Sequence, residues 1–495
     1  MPARSIMRVG TGALLAGAAL FAIPAQADTL REALAQTYRT NPTLQTARAQ
    51  QRVIDENVPI ERAAGLPGVT ADVQYIEFLK QNSTSFTAPA RVINAGPDLT
   101  VPIYSGGAVK NSVRAAKERV QAGRADLRAT ESAIFSQVVA AYMDVIRNEA
   151  IVGLSRNQVN VLGINLQATE DRFEIGDLTR TDIAQSQSRL AVAESDLRSA
   201  QANLIGARET YIQLVGEAPT DLAPPPPLPG LPDNVNDAVF IALESNPDLI
   251  SAKESAAAAG YDIEVAEAGR LPSLSAFAGY DYQNFLGTLG GSFPDPDNPD
   301  GPRIPAPQVA TGAQAGLSLR IPIFQGGRPA AIQRQATARA SAALEQVIAA
   351  ERDVIAQVRA AYSSLLAADA IIESSRTAVS AAELGLEGVR AENSIGNRTI
   401  LDVLNAEQEL LSARVQLVTA RRNAYVAGFT LLAAMGRAEA RDLGLAEEGL
   451  LYDPAINYDR VRNRVWDWGY DPDPIAGSTR TIDIPAPRAD IPRTQ

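Results

Sequence analysis

The segments VPIYSGGAVKNSVRAAK (residues 101–117) and IPIFQGGRPAAIQRQAT (residues 321–337) are two copies of one sequence, 220 residues apart. The offset persists downstream: Ala140-Ala141-Tyr142 recurs as Ala360-Ala361-Tyr362, Gly176 as Gly396, Thr179 as Thr399, Asp182 as Asp402 and Gly216 as Gly436. Upstream it falls to 205, as Asn41-Pro42 against Asn246-Pro247 and Leu66-Pro67 against Leu271-Pro272 show. The chain is therefore an internal duplication. The second copy carries fifteen extra residues between its Leu-Pro and its Gly-Gly, and an insertion that leaves both flanks aligned belongs in a loop.

The amino terminus has Arg4 and Arg8, an apolar run from Val9 to Ile23, and Ala25-Gln26-Ala27 before Asp28. This predicts a signal peptide over residues 1–27, cleaved so that the mature chain starts near Asp28. Cysteine is absent, which removes disulfides, thiol chemistry and the lipid-bearing cysteine of exported lipoproteins. Histidine is absent too, and with it the commonest general base and transition-metal ligand. No cofactor is expected. The net charge of −12 becomes about −14 once Arg4 and Arg8 are removed, which argues against a nucleic-acid partner. Beyond the leader no apolar stretch reaches the length of a transmembrane helix, so any membrane crossing must use strands.

The periodicity changes in the same order in each copy. Asp28 to about Arg62, and Asp237 to about Glu267, read as one helix each. The period then drops to two. Leu274, Ala276, Ala278, Tyr280 and Tyr282 alternate with polar or small residues, as do Thr311, Ala313, Ala315, Leu317 and Leu319; Val69, Ala71, Val73 and Tyr75 do the same in the first copy. These predict β-hairpins over about 68–104 and 273–323, with polar loops at Lys80–Ala90 and Gly287–Pro307. Each strand is long enough for a tilted membrane crossing. An ordinary soluble sheet with one buried face has the same pattern. Four strands cannot close a single-chain barrel, and an open edge in lipid costs several kcal/mol per unpaired group. Three copies would supply twelve strands.

After each Gly-Gly comes an Ala-rich, proline-poor stretch, Ala108 to Ile175 and Ala330 to Ile395, that predicts a helix about 100 Å long. A returning helix about half as long follows, Leu178 to Val215 and Arg398 to Met435. The helix that opens each copy can cover the remaining half, stacked end to end with the returning one. Ile183, Leu190, Leu197, Leu204 and Tyr211 recur every seven residues, and Leu404, Leu411, Val415, Val418, Tyr425, Phe429 and Leu432 follow 3/4 spacing, which predicts a coiled-coil seam. Pro219 to Pro232 reads as an extended linker between repeats 28–218 and 233–445, and residues 446–495 as a largely disordered tail.

The segments Phe173-Glu-Ile-Gly-Asp-Leu-Thr-Arg-Thr-Asp and Ser394-Ile-Gly-Asn-Arg-Thr-Ile-Leu-Asp, with the duplicated Pro-Ile-Tyr/Phe-x-Gly-Gly elements, resemble the TolC family of outer-membrane efflux and secretion channels, from residue 28 to about 445. The resemblance implies a homotrimer, mainly α-helical with a small transmembrane β part, in which four strands per protomer complete a twelve-stranded barrel. It implies a tunnel across the periplasm, closed until an inner-membrane pump (RND, ABC or MFS type) and its periplasmic adaptor engage it. It further implies docking through the tip turns Gly176, Asp177, Leu178, Gly396 and Asn397.

For Asp402 two roles stand side by side. Thr179-x-x-Asp182 and Thr399-x-x-Asp402 fit helix starts in which threonine caps and the acid sits in the first turn. The resemblance instead puts Asp402 and Asn405 in the constriction, where three Asp402 carboxylates would ring the axis and select cations. Close family members have an acid where this chain has Asn405. Arg398 matches an arginine that ties one tip to the neighbouring helix pair, with Thr181 and Asp182 matching its partners, and Asn393 stands where the family has a tyrosine. A periplasmic coiled-coil adaptor or scaffold without a barrel would explain the helices and export but not the strands. An exported hydrolase with paired carboxylates fits least, since Asp182 and Asp402 occupy repeat-equivalent turns. Small-molecule efflux and type I protein secretion are not separated by these residues.

Overall fold

The computed structural model describes residues 28–80, 88–449 and 451–486. The expected signal peptide, residues 81–87 of the first hairpin loop, residue 450 and the last nine residues lie outside the described residues. The first repeat contains α1 (Leu30–Thr40), α2 (Pro42–Ala63), β1 (Gly68–Glu77), β2 (Arg91–Tyr104), α3 (Ala108–Glu174) and α4 (Arg180–Val215). The second repeats the order with α5 (Val235–Ser245), α6 (Pro247–Ala268), β3 (Ser273–Asn284), a small ribbon of β4 (Ser292–Phe293) and β5 (Ile304–Pro305), β6 (Val309–Arg320), α7 (Arg328–Ser394) and α8 (Ile400–Ala434). The ribbon lies in the longer loop of the second repeat. A 3-10 turn at Leu445–Glu448 and a last helix, α9 (Pro454–Val461), follow.

The helix that opens each copy is two helices, not one as the periodicity predicts. Pro42 and Pro247 lack the N–H an interior turn would use, so each starts a new helix behind an asparagine cap. The asparagine does more than cap. Asn41 Oδ1 accepts from the N–H groups of Thr43 and Leu44 (2.9 and 3.3 Å), while its Nδ2 donates to the Leu214 carbonyl at the end of α4 (2.9 Å). Asn246 repeats the arrangement, accepting from Asp248 and Leu249 (2.9 and 3.2 Å) and donating to Ala434 O at the end of α8 (2.9 Å). Both side chains are buried. Each therefore splices two helices end to end, α4 onto α2 and α8 onto α6, beside a 67-residue partner, α3 or α7. The rods are about 100 Å long.

The four long strands form one antiparallel sheet in the order β1-β2-β3-β6. Its register aligns the apolar positions of all four strands: Val69 faces Leu99, Leu99 faces Ala278, and Ala278 faces Ala315. Asp98, Gly279 and Gln314 line up on the other face. One face is thus apolar and the other polar, and large apolar side chains such as Val73 and Leu317 are uncovered. On the polar side the Phe277 ring lies over the bare backbone of Gly316, where a Cβ would meet it at 2.9 Å. Among the described residues, the outer edges of β1 and β6 pair with nothing.

The hydrophobic core sits at mid-length of the rods. Phe135, Val138, Val139 and Tyr142 of α3 are fully buried where α1, α4 and α8 pack on that helix, with Tyr38 against Phe135 and Tyr211 against Tyr142. Tyr142 Oη donates to Asp28 O and Ala223 O (2.8 and 2.6 Å), tying the interrepeat linker to the core, and its repeat mate Tyr362 donates to Asp233 O (2.8 Å). Beside this core Arg128 pairs with the buried Glu439 at 2.6 Å. Glu131 accepts from the Ala440 N–H, and burial pushes its carboxyl up to about 7.

Two further expectations are corrected. On α4 the predicted stripe is only partly buried within one protomer: Tyr211 is buried and Leu190 and Leu204 pack against core clusters, but Ile183 and Leu197 are half-buried and the deepest positions beside the stripe are Ser186, Ala193 and Ala200. Small side chains let α3 and α4 approach closely and leave the leucines on the flank. The tail is also not simply disordered: Asp453 caps α9, Val461 is buried, and Tyr458 packs on Val58, Ala116 and Val120. Trp466 and Trp468 do not pack on the helices and are 71% and 72% exposed.

Candidate functional site

At the end of the rods away from the sheet, each long helix reverses into its return helix through one turn built twice. After α3, Gly176 has φ 84°, and its repeat mate Gly396 has φ 81°. A left-handed residue lets the chain close back on the helix: Gly176 and Asp177 donate to the Phe173 and Arg172 carbonyls (2.9 Å each), and Gly396 and Asn397 donate to those of Asn393 and Glu392 (3.0 and 2.9 Å). Nothing lies within 4 Å of a Cβ built at either glycine, so the requirement is conformational, not steric crowding.

The return helices start with capping boxes. Thr179 N and Oγ1 donate to Asp182 Oδ2 (2.8 and 2.7 Å), and Thr399 does the same to Asp402 (3.0 and 2.7 Å). The Thr179 bonds hold the Asp182 carboxyl below the usual carboxylate range, and the Thr399 bonds, helped by Arg398, do the same to Asp402. Both acids are accordingly ionised at neutral pH. The structural role weighed for these carboxylates is thus present in the protomer.

The remaining tip residues divide between repeats. Arg398 Nε donates to Glu392 Oε2 (2.7 Å) within its own turn, and Asn393 Nδ2 donates to the Arg398 carbonyl (2.8 Å). Arg172 braces Asp177 in the first tip at 2.6 Å. Among the described residues of one protomer, Arg398 bonds neither Thr181 nor Asp182, so the network expected from the resemblance is not made within a chain. The bond that does cross the repeats runs from Arg189 Nη2 on α4 to Asn405 Oδ1 on α8 (2.8 Å). Below it Leu404 is buried with Leu162 and Ala193, and the buried Glu407 is paired with Arg390. Leu178 is half-buried, whereas Gly176, Asp177, Gly396, Asn397, Arg398, Thr181 and Asn405 are exposed.

Arg189, Arg390 and Glu407 escape sequence reading because their partners lie on other helices. The one available signal is Asn405 itself, a neutral acceptor where an acid would pair with Arg189 as a salt bridge. Among the described residues no group of acidic side chains is placed to hold a metal ion. Within one protomer the tip offers two exposed turns lined by polar side chains.

The model of the outer membrane efflux protein family matches residues 33–217 and 239–437, one span per repeat. The outer membrane efflux protein BepC of Brucella suis is 33% identical over 92% of this chain and 95% of its own. The outer membrane protein TolC of Escherichia coli is 25% identical over 92% of each chain. Among solved structures, the CmeC outer membrane channel of Campylobacter jejuni superposes with a TM-score of 0.72 at 16% identity, over 88% of this chain and 89% of that one, which is agreement of fold. The relationship implies a trimeric channel. With both repeats matched and near-complete mutual coverage, this chain belongs to the outer membrane efflux protein (TolC) family: it is an outer-membrane efflux and secretion channel with a long helical periplasmic body, a transporter and not an enzyme.

Proposed function

We propose that three copies close a twelve-stranded barrel and a continuous helical tunnel, and that this duct is the exit of a tripartite efflux pump, a type I secretion system, or both. The observation that carries the proposal is the sheet: four strands in register, apolar on one side and polar on the other, with both edges open. Lipid against the apolar face and water against the polar face satisfy both only if the edges pair with further strands. The helices are open at the same two edges. Next to β6, α7 leaves Leu344, Leu366, Ile371 and Leu384 exposed, and, contrary to the expectation that no stretch beyond the leader reaches the length of a transmembrane helix, one mostly uncovered 18-residue window of α7 has that length and composition. Next to β1, α2 and α4 flank the other side. Joining unlike edges head to tail makes a ring.

In that ring the tips converge at the periplasmic end. Asp402 and Asn405 form the constriction, three Asp402 carboxylates favour cations, and the Gly176–Leu178 and Gly396–Asn397 turns receive the adaptor of an RND, ABC or MFS pump. Arg398 reaches Thr181 and Asp182 of the neighbouring helix pair across protomers, while Arg189–Asn405 holds the repeats together within one. A periplasmic scaffold has no use for an apolar sheet face, and the family assignment excludes it. Photo-cross-linkers at Leu178 and Asn397 in living cells should capture an exported coiled-coil adaptor by mass spectrometry. Outer-membrane trimers that yield no adaptor from either position would end the docking assignment.

A further inference from the structure

Both tryptophans of the chain lie in the segment after α9. Residues 452–479 form a strap that ascends beside α1 and α2 through α9 and descends again after it. Tyr452 N donates to Tyr38 Oη (2.9 Å) at its foot, Asn457 reaches Asp55 (2.8 Å), and Arg62 donates to Arg462 O and Asn463 Oδ1 (3.1 and 2.6 Å) at the top. Asp471 then lies back beside Arg460, Gly477 is near Gln45, and Thr479 is beside Gly216. The apex is therefore Val465–Tyr470, next to the last turn of α2, which leads within a few residues to β1.

The apex is built, not loose. Asp471 takes both Nη groups of Arg460 (2.7 and 2.8 Å) and Arg464 Nη1 (3.2 Å), which holds its carboxyl down at about 2. Gly469 fits under the Arg464 guanidinium, where a Cβ would come within 2.1 Å of Nη2. The clamp turns Val465, Trp466, Trp468 and Tyr470 outward, 63% to 83% exposed.

Beneath the apex, α9, the top of α2 and the first turns of α3 line a cavity of about 480 Å³ that is open to solvent on one side. Arg62, Lys110, Arg114, Lys117 and Arg462 line it with no carboxylate among the lining side chains. Val58, Val113 and Tyr458 form its apolar part. Arg462 is paired with Asp459 (3.2 Å) and Arg114 lies over the Tyr261 ring (5.7 Å), but Lys110 and Lys117 have no ionic or hydrogen-bonded partner among the described residues. Along α3 these lysines lie about 3 and 14 Å from the start of the helix, where β2 has just ended.

We propose that the strap and this cavity are a phospholipid anchor: Trp466 and Trp468 insert at the headgroup level of the periplasmic leaflet, and the cationic cavity receives the phosphate of an anionic lipid. The anchor rests on the sheet's being the membrane-spanning part, which places the strand-to-helix junction at that leaflet. Indole rings favour this depth, since one edge can hydrogen-bond while the rest is apolar. Clustered basic residues with an apolar floor suit a lipid headgroup with its first methylenes. The occupant is thus lipid by charge complementarity and by continuity with the membrane contact of the sheet.

Because the protein has no other tryptophan, its own fluorescence reports on the strap. The full-length trimer in vesicles of phosphatidylethanolamine and phosphatidylglycerol should lose more than half its emission with lipids brominated high on the acyl chain. Bromines at mid-chain should quench less, and acrylamide little. Quenching by acrylamide but not by brominated lipid would overturn the anchor, as would protection only when pump proteins are added, which would make the occupant a protein. In a Trp466→Phe/Trp468→Phe/Leu317→Trp variant, quenching by brominated lipid reports on the sheet. If that variant is quenched and the strap is not, the anchor alone fails; if neither is quenched, the membrane placement of the sheet fails as well. Lys110→Glu/Lys117→Glu should at least halve the phosphatidylglycerol that native mass spectrometry finds retained by heat-stable trimers, and unchanged retention would remove the cavity from the proposal.

Discussion

Asn246→Asp separates the two jobs of a helix splice. The aspartate keeps an oxygen for the Asp248 and Leu249 N–H groups, so the cap on α6 survives. It cannot donate to Ala434 O when ionised, and at 3% exposure water does not replace it. An orphaned buried carbonyl costs about 1–3 kcal/mol. A carboxylate facing the carbonyl end of α8 adds about 0.3–1 kcal/mol through the helix dipole. The total, roughly 1.3–4 kcal/mol, corresponds to about a tenfold to nearly thousandfold loss of hydrogen-exchange protection in the last turn of α8, Leu431–Met435. The loss should shrink as pH falls, because a protonated carboxyl can again donate to Ala434, and Asn41→Asp should behave alike at the end of α4. If Asn246→Asp exchanges like the wild type while Asn246→Ala does not, only the cap matters and the splice is wrong.

Three further outcomes follow from the geometry. Glu131 has a folded-state pKa of about 7, above its unfolded value, so the native state holds the extra proton and stability should fall as pH rises from about 4.5 to 7; Glu131→Gln keeps an acceptor for the Ala440 N–H and should remove that slope, gaining about 3 kcal/mol per protomer at pH 8, whereas equal melting shifts at pH 5 and 8 would refute it. Asp402→Ala should raise single-channel conductance and lower cation selectivity in planar bilayers, and unchanged values of both would leave Asp402 as a cap alone. Arg189→Ala breaks the bond between repeats, and Arg398→Ser the expected contact between protomers, so each should increase leakage of large antibiotics into cells; no change for Arg398→Ser would confine that residue to its bond with Glu392.

Much of the fold was legible because the chain says it twice. The 220-residue offset, the period-two stretches and the proline-poor runs locate the sheet and rods, and the structure keeps those boundaries within a few residues. The Asn-Pro pairs were visible as repeats, yet their splice needs a carbonyl some 170–190 residues away in sequence. The leucine heptad pointed to the right helix and to one flank of the seam, where Leu190, Leu204 and Tyr211 pack, but it missed Ser186, Ala193 and Ala200, because hydrophobicity marks burial in general while close approach selects small side chains. At the tips the Thr-x-x-Asp boxes could be read directly, being local. Arg189–Asn405 could not, since side-chain pairing between distant helices leaves no period. The tail's Asp-Pro and Ile-Pro steps resembled disorder because α9 owes its place to contacts with α2 and α3 and not to its own eight residues.

The central claim is that one protomer is an open third of a ring, and the absence of native cysteine makes it directly measurable. Cysteines placed in pairs, one at positions 69–75 of β1 and one at 311–319 of β6, should at the matching register oxidise into a covalent trimer that survives SDS. A product limited to disulfide-linked dimers or to internally closed monomers at every register would contradict the ring.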